Sequence, residues 1–119
     1  MKDFRTLKVW EKAHKLSLSI YKCTRTFPKD ELYGMTSQIR RASSSIGANI
    51  AEGCGKDSDA ELRRYFIIAM GSSSELENYL LLAKDLEYVG QEEYVKIQNE
   101  LIEVRKMLNA FIQKLTKSH

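Results

Sequence analysis

Proline is almost missing from this chain: Pro28 is the only one in 119 residues. With one proline and six glycines, long stretches carry no breaker, which favours helix over strand. Histidine is as scarce, with only His14 and His119, and a lone histidine in the body of the chain cannot build a His-based metal site. Cys23 and Cys54 are the only cysteines, too few for a disulfide framework, and both are expected as reduced thiols with packing roles. Apolar runs such as Phe66–Met70 and Tyr79–Ala83 fall far short of the roughly 18–20 residues that cross a bilayer, so no membrane partner is expected. The opening MKDFRTLKVWEKAHK has no apolar core of the signal-peptide kind, which sets the expectation of a retained N-terminus and a cytoplasmic protein.

What is present is an ordinary globular composition, 43% hydrophobic and 29% charged. The expectation is a single domain over residues 1–119, large enough for a core without staples or metal. The first helix is expected from about Arg5 to Thr26, where Val9, Ala13, Leu16, Ile20, Cys23 and Phe27 recur with alternating spacings of four and three. A second apolar stripe, Leu7, Trp10, His14, Leu18 and Tyr21, lies well around the same helix and calls for a second set of neighbours. Pro28 stops this helix.

The second helix, Thr36 to Gly53, is unusual. Met35, Ile39, Ala42, Ile46, Ile50 and Gly53 form one side, and the other carries Ser37, Ser44, Ala48, Ala51 and Gly55 instead of long charged residues. A small outer face suits close approach by another helix, as in a self-associating bundle. Gly53-Cys54-Gly55 ends the helix, and Ser58 with Glu61 has capping-box spacing for the third. That helix carries Leu62, Phe66, Ala69, Ser73, Leu76, Leu80 and Ala83 on one seam. It is also apolar at Tyr65, Ile67, Ile68, Met70, Tyr79, Leu81 and Leu82, so little of it is expected to face water. After a turn at Glu87–Gly90, a fourth helix is expected from about Glu92 to Lys117, with Tyr94, Ile97, Leu101, Val104, Leu108, Phe111 and Leu115 as its seam. Short connections make this an all-α, antiparallel up-down-up-down four-helix bundle.

Charge is unevenly shared. Residues 1–28 hold seven Lys/Arg against two acids, and residues 57–90 hold three against seven. Lys8, Lys12, Lys15 and Lys22 form one stripe on the first helix, and Arg40, Arg41, Arg63 and Arg64 make two RR pairs elsewhere. Such a stripe is either a solvated face or a track for phosphates. The arginines suit phosphate, but equally the acids Glu52, Glu75 or Glu77 of a neighbouring helix. Enzymatic chemistry finds little footing. The acidic pairs lack the Glu-x-x-His spacing of bundle metal centres. Gly55-Lys56 fails as a phosphate loop, because Ile50 stands where its first glycine belongs and Asp57 replaces Ser/Thr. The triplets Ser43–Ser45 and Ser72–Ser74 have no evident base and read as close-packing residues. The expectation is a non-enzyme with no cofactor.

Several motifs in order bear a family likeness: Phe4-Arg5-x-Leu-Lys-Val-Trp10, Ser37-Gln38-Ile39-Arg40-Arg41-Ala42, Asn49-Ile50-Ala51-Glu52-Gly53 and Gly71-Ser72-x-Ser74-Glu75-Leu76-Glu77. Over almost its whole length the chain resembles the bacterial four-helix bundle proteins encoded in intervening sequences of 23S ribosomal RNA genes. It departs from their pattern at Cys54, where an aromatic is usual, and at Lys56, where arginine is common. Relatives of that family include accessory proteins of diversity-generating retroelements, which form basic homopentameric rings that contact nucleic acid and a reverse transcriptase. The resemblance thus implies a homopentamer that binds nucleic acid, RNA in preference to DNA, with a reverse transcriptase as a conceivable protein partner. The eight residues Lys8, Lys12, Lys15, Lys22, Arg40, Arg41, Arg63 and Arg64 are the candidate contacts. The alternative is a protein-interaction scaffold that binds no nucleic acid.

Overall fold

The computed structural model describes residues 2–117, which form four α-helices: α1 Lys8–Thr24, α2 Met35–Cys54, α3 Asp59–Asp85 and α4 Gln91–Lys117. Single-turn 3₁₀ segments at Phe4–Thr6 and Lys29–Glu31 precede α1 and α2, and no strand occurs among the described residues. His119 lies outside the described residues.

Contacts between helices fix their sense. Ser17 meets Ser43 and Thr24 meets Arg40 between α1 and α2, whereas Ser45 meets Ser72 and Arg41 meets Glu75 between α2 and α3. Arg63 meets Thr116 and Glu77 meets Arg105 between α3 and α4, and Lys12–Glu103 joins α1 to α4. Ascending residues on one helix face descending residues on the next, so successive helices run antiparallel. The seams close on a common core. Leu16, Ile20, Ile39, Ile46, Phe66, Leu76, Leu80 and Leu101 are fully buried, each contributing roughly 1.5–3 kcal/mol relative to exposure.

The α2–α3 pair is the tightest. Ser45 and Ser72 share a 2.9 Å hydrogen bond across it. A Cβ on Gly53 would stand 2.9 Å from the Cβ of Tyr65, so only glycine fits there. Gly55 adopts ordinary right-handed geometry, φ −82°, and its glycine freedom is not what ends α2. The strained turn is after α3, where Glu87 sits at φ 63°. Tyr88 N–H donates to Ala83 C=O and Glu87 N–H to Lys84 C=O, a Schellman closure with glutamate where glycine is usual. At the same end of the bundle Glu31 fastens two connections: its carboxylate accepts the Met35 N–H at 3.1 Å and the Tyr88 hydroxyl at 2.9 Å. That hydroxyl bond to Glu31 raises Tyr88 above the usual phenol range.

Three details differ from the sequence expectation. α1 begins at Lys8 rather than Arg5, because Asp3 caps a separate 3₁₀ turn by accepting the Arg5 N–H, and Leu7 is extended. On α4, Ile112 is buried and Phe111 only half-buried against Phe66. A strict seven-residue repeat drifts about 20° per heptad on a 3.6-residue helix, which brings Ile112 nearer the core line than Phe111, while Leu115 in the next turn keeps its buried place. On α3, Ile67, Ile68, Leu81 and Leu82 remain 39–46% exposed, so one chain does not cover that helix.

Candidate nucleic-acid interface

The eight candidate cations do not form one patch. On α1 the four lysines occupy the flank toward α4, and Lys8 and Lys22, about 21 Å apart along the axis, bracket the row. Lys8 and Lys22 are exposed, with no ion pair among the described residues. Lys15 has only a 3.8 Å contact with Glu11 one turn back. Lys12 is taken up more firmly, with its ammonium 3.1 Å from Glu103.

The arginines are largely engaged by the bundle. Arg41 reaches Glu75 at 2.7 Å, joining α2 to α3. Arg40 donates from Nε to the Thr24 hydroxyl at 2.7 Å, and its guanidinium lies 4.9 Å over the Tyr21 ring. Arg63 donates to Thr116 at 2.7 Å, at the opposite end of the molecule from Arg40. Arg64 has a loose 3.8 Å contact with Glu61 and lies 5.3 Å over the Tyr65 ring. Exposed ion pairs contribute about 0–1 kcal/mol, so a phosphate can displace the loose Lys15 and Arg64 contacts with little loss. Glu77, expected to compete for the RR pairs, instead pairs with Arg105 at 2.6 Å.

Around α1 from the lysines lies an apolar groove of about 510 Å³. Trp10, His14, Leu18 and Tyr21 form one wall, and Ser44, Gly47, Ala48 and Ala51 of α2 form its floor. His14 stacks on Trp10 at 4.8 Å, and Phe4 meets that indole edge-on at 4.9 Å. Both halves of this groove are visible in the sequence as separate features, a second stripe and a small face. Their juxtaposition depends on the α1–α2 crossing, which periodicity does not specify. Arg25 and Lys29, cations at the α1–α2 connection with no ion pair among the described residues, stand in no helical stripe and are not singled out by spacing.

The two thiols are poor nucleophiles. Burial, reinforced by the charge of Glu93, pushes Cys23 up to about 12, and burial also raises Cys54. Among the described residues, no three His, Cys, Asp or Glu side chains gather as metal ligands would. No helix among them is long and apolar enough to cross a membrane.

Comparison with known proteins gives a consistent relationship. The family described as 23S rRNA-intervening sequence protein matches residues 5–110. A crystal structure of a protein of unknown function from the S23 ribosomal protein family of Bacteroides thetaiotaomicron is similar to this chain. The two share 32% identity over 87% of this chain and 97% of the other, with a TM-score of 0.79. No curated protein matches.

Proposed function

This chain belongs to the 23S rRNA-intervening sequence protein family, and on that premise we propose that it is a non-enzymatic, homo-oligomeric protein of the cytoplasm that grips structured RNA by its phosphates. The observation that carries this reading is the lysine row of α1. Lys8 and Lys22 are exposed and unpaired among the described residues, Lys15 is loosely held, and all three stand clear of the apolar groove. Self-association is supported by that groove and by the exposed aliphatic residues of α3, since apolar surface of this extent marks an interaction site. By family resemblance the assembly is a pentamer. Repetition of a modest cationic row in every copy turns weak contacts into useful avidity.

Lysine meets phosphate as a point charge, so binding is largely independent of sequence. Each neutralised phosphate steepens the salt dependence by roughly 0.7–0.9 log units per tenfold salt. The test is titration of fluorescent RNA over a salt series with wild type and the double variant Lys8→Glu/Lys22→Glu. The expected result is weaker binding to every sequence, a flatter salt slope and unchanged helicity. The groove also suits a protein such as a reverse transcriptase. If wild type binds neither RNA nor DNA at about 50 mM salt, well below the range that screens such contacts, the scaffold reading replaces this one.

A further inference from the structure

The corner where α1 turns into α2 contains a second cationic cavity, distinct from the lysine row. It measures about 330 Å³ and is walled by Arg25, Lys29, Arg40, Phe27, Leu32 and Thr36. Arg25 and Lys29 are exposed, with no ion pair among the described residues. Arg40 spends its Nε on Thr24 and leaves both Nη groups without an acceptor among those residues. Between Lys22 and Arg41 the sequence has five cations and two acids, and one of those acids, Glu31, is already bonded to Met35 and Tyr88.

Two further features mark this cavity as an anion site. The 20-residue helix α2 begins here with a glycine, Gly34, as its N-cap residue and no acid in its first turn, so the carboxylate of Glu31 is the one side chain on its open N–H groups among the described residues. Glu31 takes the Met35 N–H and Gly34 C=O takes that of Gln38, but the N–H groups of Thr36 and Ser37 have no acceptor among the described residues. Open N–H groups at the head of a long helix draw negative charge. Thr36 supplies the second feature. It is 4% exposed and its hydroxyl has no hydrogen-bond partner among the described residues, although the residue lines the cavity. A ligand oxygen bonded to that hydroxyl would relieve an otherwise unsatisfied buried group. Tyr33, the residue after Leu32 of the wall, is 92% exposed, and its ring meets no other ring or cation among the described residues.

We infer that this corner holds a phosphate of a single-stranded nucleic acid, with Tyr33 stacked on the adjacent base. The substrate class rests on the proposed function, whereas the anion site stands on its own geometry. An aromatic platform beside cations favours unpaired nucleotides, because a duplex offers no free base face. On a structured RNA the corner therefore engages loops and ends, and the lysine row meets the backbone elsewhere.

The experiment uses the full chain with three probes: inorganic phosphate followed by ³¹P NMR, a short single-stranded oligouridine and an RNA duplex. Arg25→Ala/Lys29→Ala should lower oligouridine affinity about tenfold or more and flatten its salt slope by about 1.4 log units per tenfold salt, two single-strand contacts' worth. It should also abolish phosphate line broadening. Thr36→Val, nearly the same shape, should weaken phosphate binding with helicity intact. Tyr33→Ala should cost about fivefold or more on oligouridine and little on the duplex or on phosphate. If wild type binds RNA and these variants bind as well as wild type, the corner site is refuted and the lysine row retains the function. If phosphate binds through Arg25 and Lys29 but no nucleic acid does, the anion site stands while the nucleic-acid assignment of both sites falls. If wild type binds none of the probes, both fall.

Discussion

α1 carries two apolar stripes, and only one of them is filled by its own chain. Val9, Ala13, Leu16, Ile20 and Cys23 are all at most 3% exposed. On the other stripe Leu18 is 58% exposed and Tyr21 42%. The two do not differ much in apolar character; they differ in what lies opposite. The inner stripe faces long side chains from the other helices. The outer faces Ser44, Gly47, Ala48 and Ala51, which are too short to cover Leu18 or Tyr21. Hydrophobic periodicity therefore reports that a face is apolar and says nothing of which neighbour, or which molecule, covers it.

The largest expected contrast is between two leucines two positions apart. Leu16→Ala should cost roughly 2–5 kcal/mol, read as a lower urea midpoint. Leu18→Ala should leave the chain's own stability within about 0.5 kcal/mol while weakening self-association. Equal losses of stability would erase the distinction between the stripes. Ala48→Glu sharpens it from the other helix. That residue is exposed in the single chain, so helicity should survive while light scattering shows the native mass falling toward the 13.7 kDa of one copy. A wild-type mass already at that value would leave the outer stripe a bare surface.

The filled stripe also has an alkaline signature. Folded Cys23 keeps its proton up to about 12, whereas an unfolded thiol releases it near 9.0. The folded chain then binds more protons than the unfolded one, so this contribution is complete below about 9 and is lost as pH rises from there toward about 12. Stability measured across that window should fall less in Cys23→Ala than in wild type, and an identical fall would show the thiol to be solvated. The smallest effect lies away from both stripes. Glu87→Gly should stabilise by at most about 1 kcal/mol, because relief of the left-handed geometry is partly offset by a more flexible unfolded chain.

The seam of α3 was legible residue by residue: Leu62, Phe66, Ala69, Ser73, Leu76, Leu80 and Ala83 are its buried set. On α4 the Phe111 position was not, because angular drift favours Ile112 there, although Leu108 and Leu115 on either side are buried where the spacing placed them. At the candidate interface, the lysine row was legible from spacing alone. The pairing of Lys12 with Glu103 was not, since it joins residues 91 positions apart through the α1–α4 packing. Arg41 found Glu75, one of the acids its sequence context suggested, whereas Arg40 bonded a threonine. Charge counts identify available cations, but only packing tells which have been spent.

The Glu31–Tyr88 bond has a bearing on the order in which this molecule assembles. Its two residues are 57 positions apart, one in the connection of the α1–α2 hairpin and the other in that of the α3–α4 hairpin. Glu31 lies just before α2 and Tyr88 just after α3, so antiparallel closure of α2 on α3, the tightest pair, brings the two together with neither α1 nor α4 in place. The phenol of Tyr88 is consequently a clock hand for the central hairpin. In a stopped-flow experiment the ultraviolet difference between wild type and Tyr88→Phe would appear with that hairpin and run ahead of the docking of α1 and α4.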